Sequence, residues 1–145
     1  MRSPRDFFKP VVLGAPTPML DIPVRPSRMI HFFDPSNPKM AEKAPGIATK
    51  VDMLLGYMDD AVAIDNMEAA REGLIMIARD NDFGDTKLWT RVNSLVSTWF
   101  LDDINRIISE VGEKIDVIML PKVQGPWDIH YADQLIAQLE ARAGL

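Results

Sequence analysis

From Ser27 onward, short apolar runs alternate with amphipathic stretches, one strand-like run about every 25 to 35 residues with room for a helix between each pair. This recurrence constrains the chain more than any other feature, because strands joined by helices run parallel and are connected by right-handed crossovers. Two architectures satisfy it: an open doubly wound sheet and a barrel. The runs are Arg28-Met-Ile-His-Phe-Phe, Met53-Leu-Leu-Gly-Tyr-Met, Lys87-Leu-Trp-Thr-Arg-Val and Asp116-Val-Ile-Met-Leu. The last is continuously apolar, as expected of a strand covered on both faces.

Helical spacing predicts a first helix over Lys39 to Ala48 and a second running from a cap at Asp65 or Asn66 to about Arg79, with Ala70, Leu74, Ile77 and Ala78 on one face. A third places Leu101, Ile104, Ile107, Ile108 and Val111 on one side and stops at Gly112. A final helix buries Ile129, Ala132, Leu135, Ile136 and Leu139. Residues 1–27 hold six of the eleven prolines, Pro4, Pro10, Pro16, Pro18, Pro23 and Pro26. Missing amide donors make that segment an extended, Pro-rich arm expected to pack or to contact another subunit.

The 145 residues, 47% hydrophobic and 26% charged with a net charge of −5, describe a mildly acidic globular chain. That balance argues against nucleic acid as a partner. No apolar run reaches the length of a membrane span or secretory segment, so no membrane partner is expected either. The absence of cysteine excludes disulfides and thiolate chemistry, and the cytoplasm is the expected compartment. Lys50, Lys43, Lys39, Arg28 and Arg25 bias the first units toward positive charge, but no glycine-rich phosphate loop accompanies them, so a solvated charged face is expected.

In either architecture ligands bind at the carboxyl ends of the strands. The polar residues there are Asp34, the pair Asp59 and Asp60, Arg91 with Asn93, and Lys122. Carboxylates, an arginine and a lysine on one rim suit a metal-assisted site for an anionic substrate, with the planar guanidinium of Arg91 offered to a carboxylate. The same residue types also cap helices and close turns without chemistry. His31 and His130 stand apart from other ligating residues and are expected neither to bind metal nor to act as bases. Trp89, Trp99 and Trp127 are expected to be packing residues.

The segments Val51-Asp-Met-Leu-Leu-Gly-Tyr-Met-Asp-Asp-Ala-Val62, Glu68-Ala-Ala-Arg71, Trp89-Thr-Arg-Val-Asn93 and Ile118-Met-Leu-Pro-Lys-Val123 resemble, in order and spacing, the citrate lyase beta-subunit and malyl-CoA lyase family of HpcH/HpaI aldolases. The resemblance runs from about Arg28 to the C-terminus. It implies a TIM (βα)8 barrel, of which residues 28–145 form the N-terminal half, β1α1 to β4α4. A closed barrel takes roughly 250 residues, so the chain is expected to be a truncated form.

The resemblance also implies a Mg2+-dependent lyase that makes or breaks the carbon-carbon bond between an acyl-CoA and a small oxo acid such as glyoxylate, acting as a homo-oligomer. By the same likeness Asp60 and Asp59 are catalytic, and Arg91, Asn93 and Lys122 contact the CoA-thioester substrate. The metal ligands are expected beyond Leu145. Asp59 stands where the family usually has glutamate, and Gln124 where glutamate is common. Two other readings stay open: a non-catalytic half-barrel that needs a partner, and a flavodoxin-like ligand-binding domain with helices on both faces of its sheet.

Overall fold

The computed structural model describes residues 27–145. The proline-rich arm expected over residues 1–27 therefore lies outside them, apart from Ser27. Four strands alternate with four helices: β1 (Ile30–Phe33), α1 (Pro38–Ala48), β2 (Met53–Tyr57), α2 (Met67–Asp80), β3 (Lys87–Arg91), α3 (Phe100–Val111), β4 (Val117–Met119) and α4 (Pro126–Ala143). All neighbouring strands are parallel, and their spatial order is simply β1-β2-β3-β4.

Sequential order with no reversal is the winding of a barrel wall. A doubly wound sheet has a switch point where strand order turns back, so the flavodoxin-like alternative is not the one adopted. Four consecutive βα units of TIM type are present, half the number in a closed barrel.

Register explains which face meets the helices. Phe33, Gly56, Thr90 and Ile118 form one row across the sheet, and Phe32, Leu55, Trp89 and Val117 form the next. Successive residues point to opposite faces. Phe33 is fully buried and joins Leu54 and Leu88 in the core packed against Leu74, Ile77, Ile104 and Ile107 of the helices. In the other row Phe32 is 45% and Val117 36% exposed at the two ends, while Leu55 between them is buried. The helices therefore cover one face, and the opposite face is the one that lines the interior of a barrel.

Two expectations about burial are corrected on this basis. β4 is not covered on both faces: Val117 is open to solvent, and among the described residues β4 pairs with β3 alone. Ile129, read as buried, is exposed, and so is Leu101, although each shares helical spacing with buried residues of its helix. α3 does stop at Gly112, as expected; its φ of −56° carries the chain on into a 3-10 turn, Gly112–Lys114. The left-handed helix stop is at Gly144, φ 80°, with Leu145 N donating to Glu140 O at 2.9 Å.

Helix starts follow local chemistry. Asn37 Oδ1 accepts from Lys39 N at 3.0 Å, and Pro38 fills the first helical position, where no amide is needed. Asn66 occupies the cap position of α2 without a side-chain hydrogen bond, because a 3-10 turn, Ile64–Asn66, leads into the helix instead.

Gly73 fixes how close α2 lies to the loop after β1. A Cβ there would come within 2.1 Å of the Pro35 carbonyl oxygen, a backbone atom that cannot step aside. Alanine is the better helix former by about 1 kcal/mol. Gly73→Ala is nevertheless expected to destabilise the chain by about 1–3 kcal/mol through overpacking, measured by urea unfolding; a gain in stability would show that this approach is not fixed.

Candidate active site at the carboxyl ends of the strands

β2 and β3 end side by side, with Tyr57 and Arg91 in register. Arg91 therefore points to the open face of the sheet, where its guanidinium carbon lies 5.9 Å from the Phe32 ring centre and 5.8 Å from that of Tyr57. Two residues beyond β2, the buried Asp59 turns back to meet it. Arg91 Nη2 donates to Asp59 Oδ1 at 2.9 Å, and Nε lies 2.7 Å from Oδ2 at an angle too bent for a hydrogen bond. Asp59 thus holds the Nε–Nη2 edge of the guanidinium. Among the described residues nothing occupies Nη1, so the outer fork is left for a ligand. Burial raises the Tyr57 phenol above its ordinary pKa, and the charge of Asp34 adds to the effect.

Asp60 and Lys122 form a second pair across the rim. Lys122 Nζ donates to Asp60 Oδ2, joining the end of β2 to the segment after β4, 62 positions away in sequence. The hydrogen bond from Lys122 holds the Asp60 carboxyl below its ordinary pKa. Both side chains are exposed, which limits what this ion pair adds to stability. Lys122 has φ 55°, and it is the one non-glycine residue with positive φ among those described. A lysine in the left-handed region is strained, and such strain clusters at functional sites.

A cleft of about 310 Å³ opens between these elements, lined by Asp59, Asp60, Asn93, Ser94, Ser97 and Lys122 over an apolar floor that includes Met67 and Trp99. Four of the five expected site residues, Asp59, Asp60, Asn93 and Lys122, therefore line it, and Arg91 is joined to them through Asp59. Asn93 does so in a different capacity from the one expected. Its amide donates to Met58 O at 2.8 Å and to Asp103 Oδ2 at 2.8 Å, so both hydrogens are committed inside the protein.

Asp103 and its ion-pair partner Arg71 were not singled out as site residues. Arg71 Nε donates to Asp103 Oδ1 at 2.9 Å, and both side chains are buried. An acid in the first turn of a helix reads as a response to the helix dipole, and that ordinary role concealed this one. Asp34 closes a turn by accepting from Ser36 N and Oγ, as its structural reading required. Trp127 is 67% exposed and is not a packing residue, because it sits on the outer face at the start of α4. Arg28 spends its charge on Asp52 at the other end of the strands, and Lys39, Lys43 and Lys50 are exposed, as a solvated face would be.

The donor set does not fit a divalent cation. Among the described residues no three Asp, Glu or His side chains converge on one point. Asp59 and Asp60 are each already neutralised by a cationic side chain. Nor is any helix among the described residues long and apolar enough to cross a membrane.

A singly wound parallel sheet with helices on one face and paired charges at its strand ends defines a TIM-type α/β domain with a rim site. Residues 28–145 match the HpcH/HpaI aldolase/citrate lyase family, and the chain belongs to it. It is 53% identical over 137 residues to a malyl-CoA/beta-methylmalyl-CoA/citramalyl-CoA lyase of Chloroflexus aurantiacus, covering 94% of this chain and 39% of that protein. It is 32% identical over 122 residues to an L-malyl-CoA/beta-methylmalyl-CoA lyase of Rhodobacter capsulatus, 84% of this chain and 38% of the relative. A (3S)-malyl-CoA thioesterase of Cereibacter sphaeroides is 32% identical over 111 residues, 77% and 37% of the two chains. The chain spans about two fifths of the length of these relatives.

The Asp60 shift has a definite sign. A carboxyl depressed in the folded state contributes stability above its unfolded pKa, and that contribution is lost as pH falls through the folded value. NMR titration is expected to place the Asp60 midpoint below 3.8 and Lys122→Ala to return it toward 3.8; an identical midpoint in both proteins would mean that the pair is not formed in solution.

Proposed function

We propose that this chain carries the substrate-gripping rim of a carbon-carbon lyase that cleaves or forms a malyl-CoA-type thioester, with an acyl-CoA and glyoxylate on the other side of the reaction. One observation carries the reading: Arg91 is held along one edge by Asp59 at a strand end, on the open face of the sheet, and Asp59 itself lines the adjoining cleft. The names of the relatives supply the substrate class.

In this reading the Arg91 fork binds the oxygens of the oxo acid. Cleavage takes the proton from the β-hydroxyl, forms the carbonyl of glyoxylate and breaks the adjacent carbon-carbon bond. The electron pair passes to the thioester enolate, which a proton then quenches. A guanidinium fixed in advance stabilises the oxygens on which charge collects, at no reorganisation cost during the reaction. Lys122 supplies a second cation at the mouth of the cleft for the anionic substrate. Asp59 and Asp60, expected to be catalytic, act as positioning residues: each is bound to a cation that touches substrate, and a carboxylate held below its ordinary pKa, like Asp60, is a weak base.

The magnesium that the resemblance implies finds no donor set among the described residues, and no step is routed through it. Its ligands belong to a part of the relatives' length that lies beyond Leu145. In this reading the protein works as a cytoplasmic homo-oligomer. The thioesterase relative favours a second reading, hydrolysis of the thioester with release of free CoA.

The test is a coupled assay of the 145-residue chain with malyl-CoA, with and without Mg2+, reading glyoxylate and free thiol separately. Glyoxylate release that falls by about 10²–10³-fold in Arg91→Ala supports the lyase reading. Thiol release without glyoxylate would replace it with the hydrolase, and turnover indifferent to Arg91→Ala would remove Arg91 from the site.

A further inference from the structure

The buried ion pair Arg71–Asp103 and the amide of Asn93 form one connected network. Asp103 accepts from Arg71 Nε through Oδ1, and through Oδ2 from both the backbone N of Asn93, 3.1 Å, and its side-chain amide. The same amide reaches Met58 O, and Met58 N donates to Arg91 O at 2.9 Å. Met58 immediately precedes Asp59, and Asn93 follows Arg91 by two residues. The network therefore clamps the backbone on both sides of the Asp59–Arg91 pair and ties it to α2 through Arg71 and to α3 through Asp103.

We infer that Asn93, supported by Asp103 and Arg71, is the positioning element that sets the orientation of the Arg91 guanidinium, and so the direction in which its outer fork meets a carboxylate. This rests on reading Arg91 as the oxo-acid-binding group. A buried ion pair is no strong source of stability, since its desolvation offsets its attraction. Its value here lies in geometry. Arg91 is only partly buried, with the Phe32 and Tyr57 rings 5.9 and 5.8 Å from its guanidinium carbon, so without fixed strand ends its long side chain samples several rotamers. Charge-assisted bonds to Asp103 hold the Asn93 amide in a single orientation, and that orientation determines where Met58 O and hence Asp59 lie.

The network also assigns separate duties to its members. Arg71 neutralises Asp103, whereas Asp103 Oδ2 serves Asn93. Replacing the charges while keeping an acceptor for Asn93 should therefore spare Arg91, and removing the Asn93 amide should not. A merely structural network predicts no such difference.

The experiment is ¹⁵N relaxation at Arg91 Nε in the 145-residue chain, with glyoxylate titration as a separate readout. In the parent chain the Arg91 Nε–H is expected to be ordered, near about 0.85 on the order-parameter scale, and in Asn93→Ala to fall below about 0.6. Glyoxylate affinity is expected to weaken by about tenfold with it. The double variant Arg71→Met/Asp103→Asn keeps an amide oxygen for Asn93 and is expected to retain Arg91 order whatever stability it loses. Should Asn93→Ala not fold, Asn93→Ser carries the same readout, its single hydroxyl able to serve Asp103 or Met58 but not both. Unchanged Arg91 order in a folded Asn93 variant, or equal loss in the double variant, overturns the inference. A parent chain with an ordered Arg91 that does not bind glyoxylate overturns the oxo-acid reading instead, and the relaxation data still decide the positioning role.

Discussion

A parallel strand cannot return to its neighbour without crossing over, and here each crossover is a helix laid on the same face of the sheet. That one-sided coverage controls the rest of the molecule. It divides alternate strand residues into those that pack on helices, such as Phe33, Leu54 and Leu88, and those that face a barrel interior, such as Phe32, Tyr57 and Arg91. It also brings every strand end to one rim, so polar residues from distant parts of the sequence meet there without any of them being neighbours in the chain.

Charge at the rim is arranged in pairs of graded burial. Arg71–Asp103 is buried between helices, Arg91–Asp59 is partly buried at the sheet edge, and Lys122–Asp60 stands in solvent. Desolvation is costly at the first and slight at the last, so the inner pair must be satisfied by further hydrogen bonds, as it is by Asn93, while the outer pair is free to exchange partners. An anion at this rim meets Lys122 in the cleft and Arg91 on the open face beside it, each already paired with a carboxylate. That arrangement suits binding of a carboxylate better than binding of a metal ion.

The fold was legible because period and spacing report on local geometry. Helical spacing identified the buried faces of α2 and most of α3, and the apolar runs marked four strands to within a residue or two. It failed where burial depended on a neighbour: Leu101 and Ile129 have the right spacing but are exposed, and β4 has the composition of a strand covered on both faces while Val117 is exposed. Gly112 is the helix stop that it looked like, yet nothing in the local sequence says that the chain goes on there into a 3-10 turn whereas Gly144 makes the left-handed one. At the site, residue type and strand-end position were enough to name Asp59, Asp60, Arg91, Asn93 and Lys122 together. They were not enough to separate the donors that face a cleft from the amide of Asn93, which is spent inside.

By itself the sequence determined the order of strands and helices, the parallel winding, the set of polar residues at the rim and the family. Each follows from periodicity, connection length or a run of neighbouring residues, all of which are local. The tertiary structure decided which face of the sheet the helices cover, which carboxylate pairs with which cation and which groups are left for a ligand. Asp59 meets Arg91 across 32 positions, Arg71 meets Asp103 across 32, and Asp60 meets Lys122 across 62. Hydrogen bonds and ion pairs act over a few ångströms in space, and only the packed sheet converts those separations in sequence into contact.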